Sequence, residues 1–467
     1  MFNVLVIASG RGSRLQEVLG NLPKCLVPVA GRAAILRQYE YWSKQEGFGR
    51  MVLITHSAEL VKSFLHLNNV TDIDVISHEK FDGSANAIAQ APQSLTGLPC
   101  VIHWCDVLLT EPFKNFGFFN YCITCEGYGR YEVRDGRIEP VKDGNVCGIY
   151  ALHSFRRPAK HLLQNEPDFA DIANTYDNWR ELKRPDLVNF GDMPQLCQAN
   201  AGLSTTKSNK DTSIALQDGV LIKTGRACEA PWFEKAERKG IATPYLTNNG
   251  KDIWLAYATR GTVWSNRHNN EVIERFGELQ SKLIRLETGI RIEVDYEQLV
   301  LHRITKRLHP AMFELSGIDK SSYTLLARGI AKALHSLTNG LESATHGHFD
   351  MHMHNAVVDE HGRVLPIDPG GDTYKWGKLG PLGYETGKML YAYYIWSGLY
   401  ENEPTQCWTE AKYAPDWLKA NKLAKLWCAS HLLACPRFFA MDFVRLRFAM
   451  QQSYAIAKTL LETSSNG

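Results

Sequence analysis

The sequence has no long uninterrupted run of apolar residues. A membrane-spanning helix needs roughly 20 such residues in a row, and no stretch of this chain approaches that length. The apolar N-terminal segment Asn3–Ile7 is shorter than the apolar region of a secretion signal and leads into a glycine-rich stretch, so it is typical of a β-strand. We therefore expect a cytoplasmic protein with no membrane span.

Charge of one sign is also absent. The 52 basic and 50 acidic residues leave a formal net charge of +2, which provides no chain-wide field to attract nucleic acid or an anionic membrane surface. Among the eleven cysteines, Cys122 and Cys125 form the single C-x-x-C motif, whereas a zinc ribbon needs two. We expect free thiols, small-molecule partners and no nucleic acid, and a homo-oligomer stays open.

The chain is too long for one hydrophobic core. Its 467 residues exceed the range over which a single core usually keeps growing. The polar stretch Gln198–Lys210 carries small residues and separates two differently patterned regions, which is typical of a domain boundary. The sequence therefore predicts two domains, residues 1–202 and residues 203–467.

The two regions predict different folds. Before residue 110, short β-rich runs alternate with helical patterns, which predicts a mostly parallel sheet with ligands bound at the carboxyl ends of its strands. In the second region, two strand-like runs flank the turn Asp218-Gly219, a helix begins near Ala230, and long helices with one hairpin at Asp359–Gly362 follow. That pattern predicts an α+β domain.

A glycine-rich loop follows the first strand. Gly10 and Gly12 allow the backbone to approach a polyphosphate, and the cations of Arg14 and Lys24 suit its charge. A G-x-G pair alone is also typical of a tight turn beside solvated cations. The neighbouring motifs must therefore decide between the two interpretations.

In order along the chain, the loop, the pair Pro23-Lys24 and the turn Pro28–Gly31 resemble the signature of the sugar nucleotidyltransferase superfamily. The resemblance extends over roughly residues 1–200. It implies a Rossmann-like domain without a side-chain nucleophile, in which Lys24 and Arg14 assist transfer by aligning and neutralising phosphates. The short domain looks more like the phosphocholine cytidylyltransferases and the compact sugar-1-phosphate uridylyltransferases than the longer glucose-1-phosphate thymidylyltransferases. CTP is therefore the first choice of nucleotide, and UTP stays open.

The same resemblance implies a Mg²⁺ ion held between two carboxylates. The implied metal ligands are Asp106 and Asp192, each with an ordinary turn role as the alternative. The implied nucleotide-binding residues are Ala8, Gly10, Gly12, Gly83 and Ser84.

A second set of motifs lies in the C-terminal region. Asp350 and Asn355 are five residues apart, and Asp368 follows a strand-like run. Phosphoryl transfer from ATP needs one carboxylate to orient the attacking hydroxyl, and further oxygen ligands to hold Mg²⁺. The spacing resembles the H-x-D-x-x-x-x-N loop of aminoglycoside phosphotransferases and choline kinases over roughly residues 203–467.

By that resemblance Asp350 is the catalytic base, Asn355 and Asp368 hold metal, and His348 braces the loop. A strand lysine that grips ATP phosphates and pairs with a helix glutamate is expected in such folds. Lys223 with Glu229 fits this nucleotide-binding role, and Glu234 and Glu237 are alternatives to Glu229. The usual glycine-rich phosphate loop is missing, and residues 204–211 occupy its place.

Two features near the second motif have competing interpretations. The histidines around Asp350 could suggest zinc ligands, but a loop that faces substrate or solvent explains their alternation better. The segment Tyr384–Trp396 could form an aromatic box for a quaternary ammonium group, although helical spacing of this kind more often indicates core.

Together the motifs predict a bifunctional enzyme. The C-terminal domain would phosphorylate a small alcohol such as choline, ethanolamine or a polyol acid with ATP. The N-terminal domain would then transfer CMP from CTP to that phosphate, giving a CDP-activated headgroup for surface polysaccharide and releasing pyrophosphate. The alternatives are a sugar 1-kinase fused to a sugar-1-phosphate nucleotidyltransferase, and a nucleotidyltransferase regulated by a pseudokinase.

Overall fold

The computed structural model describes residues 1–10, 15, 23–80, 82–113, 120–164, 167–176, 178–202, 214–217, 220–256, 258, 260–266, 268–370, 378–395, 411 and 413–465. The chain divides into two compact units. The first comprises Met1–Thr206 and Phe439–Leu446, and the second comprises Lys207–Phe438 and Arg447–Gly467. Within the described ranges, no helix combines the length and apolar character needed to cross a membrane.

The first unit is built on a seven-stranded sheet with the order β5-β4-β1-β6-β9-β8-β10. Its strands are β1 Phe2–Ala8, β4 Phe48–Thr55, β5 Ile73–Ser77, β6 Cys100–Trp104, β8 Asn120–Arg134, β9 Arg137–Leu152 and β10 Trp179–Lys183. Two small antiparallel pairs accompany it, β2 Pro28–Val29 with β3 Arg32–Ala33, and β7 Val107–Leu108 with β11 Val188–Asn189.

The centre of this sheet is parallel. Strand β1 pairs in parallel with β4 and β6, and every residue of β1 is buried, as expected for a strand covered on both faces. Strands β8 and β9 are antiparallel to each other because the tight turn Asp135-Gly136 joins them directly. The predicted mixed α/β class with a mostly parallel sheet is confirmed.

The described part of the first unit contains five α-helices and four short 3₁₀ segments. The α-helices are α1 Ala34–Ser43, α2 Ala58–Leu67, α3 Ser84–Ile88, α4 Phe169–Ile172 and α5 Met193–Gly202. The 3₁₀ turns are Lys24–Leu26, Gln93–Leu95, Lys160–Leu163 and Ala173–Thr175.

A short segment from near the end of the chain completes the first unit. The backbone N–H of Ala33 donates to the carbonyl of Met441 at 2.8 Å, and the Asn68 amide donates to the carbonyl of Ala440 at 3.0 Å. The rings of Phe64 and Phe443 meet edge to face. These contacts tie residues 439–446 to the helical layer formed by α1 and α2.

The second unit combines small antiparallel sheets with long helices. One sheet has the order β12-β13-β15-β14, another the order β16-β17-β20, and β18 pairs with β19 in the hairpin at Asp359–Gly362. The strands are β12 Ile214–Gln217, β13 Val220–Lys223, β14 Tyr245–Asn248, β15 Ile253–Ala256, β16 Glu287–Glu293, β17 Leu341–Thr345, β18 Ala356–Val358, β19 Val364–Pro366 and β20 Gly380–Pro381.

Most of the buried apolar residues of this unit lie on its helices. They are α6 Ala230–Arg238, α7 Asn270–Leu283, α8 Tyr296–Arg307, α9 Pro310–Ser316, α10 Lys320–Thr338, α11 Leu382–Tyr394, α12 Asp416–Ala420 and α13 Lys422–Ala434, and most of α14 Phe443–Ser465. Helix α11 is buried along its whole length, so any charged side chain on it needs a partner inside the unit.

One close backbone approach lies directly beside the end of β6. Gly148 of β9 has a φ of +76°, and a Cβ added there would lie 2.2 Å from Cε3 of Trp104. The Trp104 ring is itself held against Tyr150, with 5.1 Å between the ring centroids. Gly148 therefore meets two separate demands, a left-handed backbone and the absence of a side chain.

We predict that Gly148→Ala lowers the free energy of unfolding by about 3 kcal/mol, because backbone strain and overpacking add. Gly97→Ala is the matched control, since Gly97 has a φ of +84° but no atom within 4 Å of an added Cβ. It should cost only about 1 kcal/mol. Urea unfolding followed by circular dichroism measures both, and equal losses would contradict the steric part of the argument.

Candidate functional site

The first candidate site lies at the carboxyl edge of the parallel strands. In the register of the sheet, Ile7 pairs with Trp104 and Ala8 pairs with Thr55, so β1, β4 and β6 end together. His56 lies directly after β4 and forms a hydrogen bond with the backbone of Ala8. Burial lowers the pKa of His56, although this hydrogen bond opposes the shift. The loop after Ala8 and the turn after Trp104 therefore start from the same edge.

The best-defined contact at this edge joins Lys24 to Asp106. The Lys24 ammonium donates to Oδ2 of Asp106 at 2.9 Å, and the two side chains are 14% and 17% exposed. Lys24 begins a 3₁₀ turn, while Asp106 follows β6 by two residues. The fold thus brings the predicted catalytic lysine to the predicted metal ligand across 82 residues of sequence.

A buried glutamine braces the turn that carries Asp106. The Nε2 amide of Gln38, on α1, donates to the carbonyls of Trp104 at 3.1 Å and Val107 at 2.9 Å. Gln38 is only 1% exposed. It therefore holds the backbone on both sides of Asp106 with one side chain.

A tryptophan–histidine pair supports the same turn. Trp42 Nε1 donates to Nδ1 of His103 at 2.8 Å, and Nε2 of His103 lies 3.1 Å from the Val107 carbonyl. Burial lowers the pKa of His103 to about 4, so the ring is neutral at pH 7. Because Nδ1 accepts, Nε2 carries the proton and donates to Val107.

Asp192 approaches Asp106 through a short strand pair. Asn189 of β11 pairs with Val107 of β7, and the next residue, Phe190, donates its N–H to the Asp106 carbonyl at 3.0 Å. Asp192 follows two residues later and accepts the Gln195 N–H through Oδ1 at 3.0 Å, at the start of α5. The fold therefore brings the segment before Asp192 to the backbone of Asp106, and it gives Asp192 a capping role.

Two of the predicted nucleotide-binding residues, Gly83 and Ser84, have a clear structural role. Gly83 has a φ of +94° and directly precedes α3. The Ser84 hydroxyl accepts the N–H of Phe169 at 2.8 Å and lies 3.2 Å from Oδ1 of Asp168. This hydroxyl is therefore committed to contacts within the unit. Gly12 and Arg14 lie outside the described residues, whereas Gly10 is exposed at the end of β1.

The second candidate site is in the other unit and is centred on Lys223. Its ammonium donates to Oε2 of Glu229 at 2.7 Å and also contacts Asp368. Lys223 and Glu229 are both buried, and burial raises the pKa of Glu229 although Lys223 opposes the shift. The two alternative partners of Lys223 form other contacts. Glu234 accepts a hydrogen bond from the Tyr245 hydroxyl, and Glu237 accepts one from the Thr243 hydroxyl.

The loop from His348 to Asn355 is tied to the β18–β19 hairpin. Nε2 of the buried His348 is bonded to the Ile367 carbonyl at 2.7 Å, and the Ile367 N–H donates to the Asn355 carbonyl at 2.8 Å. The Asn355 amide donates to the carbonyl of Asp350 at 2.9 Å. This network brings Asp350, Asn355 and Asp368 together.

Two residues of this network have left-handed backbones. Phe349 has a φ of +58° and Asp368 a φ of +53°, which costs roughly 1–2 kcal/mol for a residue with a Cβ. Glu385 of α11 holds the first of them by accepting the N–H groups of His348 at 3.2 Å and Phe349 at 2.5 Å. Strain of this kind concentrates at functional sites.

Asp350 has a lysine partner that sequence reasoning missed. Lys388 Nζ lies 3.0 Å from Oδ1 of Asp350, whose side chain is 31% exposed. Burial alone would raise the pKa of Asp350, but the charge of Lys388, followed by that of His352, lowers it. Asp350 is therefore ionised at pH 7 and can accept a proton or a hydrogen bond.

The structure also describes parts of the two other suggested sites, the aromatic box and the histidine metal site. Tyr384 and Tyr391 are buried and already contact cations of the protein: Arg303 lies 5.3 Å from the Tyr384 centroid and Lys388 lies 4.8 Å from that of Tyr391. Trp396 lies outside the described residues. Across the ranges that the structure describes, no cluster of three or more histidine, cysteine, aspartate or glutamate side chains could hold a metal ion.

Comparison with known proteins covers only part of the chain. No family model matches it. Bifunctional protein GlmU from Pseudomonas putida is 31% identical over 181 residues, which are 33% of this chain and 38% of the relative. A second P. putida GlmU matches over 23% of its length, so the chain spans about a quarter to two fifths of these curated relatives.

Solved structures with a similar fold include two transferases. The inositol-1-phosphate CTP transferase from T. maritima is 14% identical and covers 43% of this chain and 97% of its own, with a TM-score of 0.35. The CTP:phosphocholine cytidylyltransferase from Streptococcus pneumoniae is 16% identical and covers 43% and 98%, with a TM-score of 0.34. These similarities lie in the N-terminal unit.

We predict that Gln38→Leu lowers the free energy of unfolding of the first unit by about 2 kcal/mol, because the Trp104 carbonyl loses the Gln38 donor and the Val107 carbonyl keeps His103 but loses Gln38. Tyr39→Phe is the control on the same helix, since its hydroxyl bonds Asp72 at the surface. Urea unfolding compares the two variants. A loss no larger than that of the control would show that Gln38 does not hold the turn.

Proposed function

We propose that the first unit is a nucleotidyltransferase that moves CMP from CTP to a phosphate monoester. The observation that carries this proposal is the Lys24–Asp106 pair at the carboxyl edge of the parallel strands. An added Cβ at Gly10 would meet no atom within 4 Å, so the fold itself does not require glycine there. A backbone that a polyphosphate approaches closely does favour it.

In this reaction an oxygen of the phosphate monoester attacks the α-phosphorus of CTP. A new P–O bond forms, the bond from the α-phosphorus to the bridging oxygen breaks, and pyrophosphate leaves. Lys24 neutralises the developing charge on the phosphates. The carboxylates of Asp106 and Asp192 form an all-oxygen donor set that suits Mg²⁺, and a bound Mg²⁺ would offset triphosphate charge.

We predict that Lys24→Met lowers pyrophosphate release from CTP and the phosphorylated alcohol at least 100-fold, because the phosphates lose a buried cation. ADP formation by the second unit should stay within twofold. Lys62→Met is the matched control, since Lys62 forms only a surface ion pair with Glu59. Parallel loss of both activities would contradict two separate active centres.

The second unit is proposed to be an ATP-dependent kinase for a small alcohol. Lys223, Glu229 and Asp368 support this through one connected set of contacts around the buried Lys223, with Asp350 and Asn355 joined to it by the His348 loop. The alcohol oxygen attacks the γ-phosphorus, its proton passes to Asp350, and the bond to the β–γ bridging oxygen breaks to release ADP. Asn355 and Asp368 offer the oxygen ligands that Mg²⁺ prefers.

The two proposed reactions are consecutive. The kinase produces a phosphate monoester, which is the substrate class of the nucleotidyltransferase. The product would be a CDP-activated headgroup, suited to the decoration of a surface polysaccharide. A sugar 1-kinase paired with a sugar-1-phosphate nucleotidyltransferase uses the same geometry on a different acceptor, and an acceptor panel separates the two.

We predict that Asp350→Asn lowers ADP formation at least 100-fold, because the substituted side chain cannot take the hydroxyl proton. Pyrophosphate release should persist when the phosphorylated alcohol is supplied. Asp319→Asn is the control, since Asp319 caps α10 and asparagine caps equally well. Unchanged ADP formation in Asp350→Asn would contradict the role of Asp350 as the base. No ADP formation by the parent protein with any acceptor would support a pseudokinase instead.

A further inference from the structure

Helix α11 holds three consecutive residues of the loop that carries Asp350. Glu385 accepts the backbone N–H groups of His348 and Phe349. Lys388 is three residues further along, on the same face of the helix, and its Nζ lies 3.0 Å from Oδ1 of Asp350. One side chain of α11 therefore fixes the backbone of the loop, and a second contacts the carboxylate that follows.

The helix is a fixed support for Lys388. It is buried along its whole length, and Lys388 itself is 5% exposed. The Tyr384 ring of α11 packs edge to face on Trp427 of α13, with 5.2 Å between the centroids, and on Phe349 of the loop, with 6.1 Å. The Lys388 ammonium also lies 4.8 Å from the Tyr391 centroid, an attractive position for a cation. A lysine side chain is flexible in water, but here its backbone and its ammonium are both held.

The two oxygens of the Asp350 carboxylate have contacts of different length. Oδ1 is 3.0 Å from Nζ of Lys388, whereas Oδ2 is 3.4 Å from Nδ2 of Asn355 and 3.9 Å from Nε2 of His352. The last two distances are longer than those of ordinary hydrogen bonds. Rotation about the Cβ–Cγ bond of an aspartate is only weakly restricted by the side chain itself. Of these three contacts, the one with Lys388 therefore does most to fix the plane of the carboxylate.

We propose that Lys388 is a positioning residue of the kinase reaction, which holds Oδ1 of Asp350 so that Oδ2 meets the hydroxyl of the alcohol. This inference rests on the proposed kinase activity and adds a residue to it. A general base must lie within hydrogen-bond reach of the proton that it accepts, and catalysis of phosphoryl transfer depends almost entirely on alignment and charge. The proton passes to Oδ2 while the alcohol oxygen bonds to the γ-phosphorus and ADP leaves. Lys388 keeps its own protons throughout.

The variant Lys388→Met tests this role through ADP release with choline, ethanolamine, glycerate and glucose as acceptors. We expect kcat to fall at least 10-fold with KM for ATP unchanged, because the base loses its alignment. Lys388→Arg should lose less, since it keeps a cation at this position. Lys419→Met is the matched control, because Lys419 forms an ion pair of 2.9 Å with Asp416 at the surface of the same unit. Unchanged kcat in Lys388→Met would overturn the inference but leave the kinase proposal intact.

A double variant separates positioning from a structural role. If Lys388 acts through Asp350, then Lys388→Met should lower the residual ADP release of Asp350→Asn by less than twofold, because the two residues form one unit. A structural role, or a direct action of Lys388 on ATP, predicts the same loss in both backgrounds. A further 10-fold loss in the double variant would therefore overturn the inference.

The parent protein decides the question if Lys388→Met does not fold. Its crystal structure with Mg²⁺, the non-hydrolysable ATP analogue adenylyl imidodiphosphate and the best of the four acceptors should show Lys388 on Oδ1 of Asp350 and the acceptor hydroxyl on Oδ2. A hydroxyl on Oδ1, or an ammonium that has left Asp350, would overturn the inference alone. No ADP release by the parent protein with any of the four acceptors would overturn the kinase proposal as well.

Discussion

A lysine that is held out of bulk water needs an opposite charge in direct contact, and this constraint organises both units. Lys24 contacts Asp106, Lys223 contacts Glu229 and Asp368, and Lys388 contacts Asp350. In each case the aspartate lies just after a strand or in a tight loop, where the backbone fixes its position. The charge of each lysine is thereby balanced within its own unit.

Hydrogen bonds from buried polar groups keep Asp106 and Asp350 in place. Gln38 and His103 hold the backbone around Asp106, and His348 holds the loop that carries Asp350. Glu385 stabilises the left-handed Phe349 through the two N–H groups that it accepts. Buried polar groups therefore determine the geometry around the charged residues of both candidate sites.

Short-range patterns made much of this architecture predictable. The apolar run of β1 indicated a central strand, and the spacing from Asp350 to Asn355 indicated one loop. The supporting residues could not be predicted in this way, because their partners are distant in sequence. Gln38 donates to carbonyls 66 and 69 residues away, and Lys388 lies in a segment whose pattern indicates apolar core. Gln38 did leave one signal, a polar residue on the stripe of Ala34 and Trp42. The hydrogen bond between the backbones of Ala33 and Met441 has no corresponding signal in the sequence.

The central claim is that one chain carries two consecutive transfer reactions, and product stoichiometry tests it most directly. The protein is mixed with ATP, CTP and a small alcohol from the acceptor panel, and ADP and pyrophosphate are measured over time. The account predicts that ADP appears first, that pyrophosphate follows after a lag, and that both reach equal amounts. Omission of ATP should abolish pyrophosphate release. Pyrophosphate formed from CTP and the unphosphorylated alcohol without ATP would contradict the account.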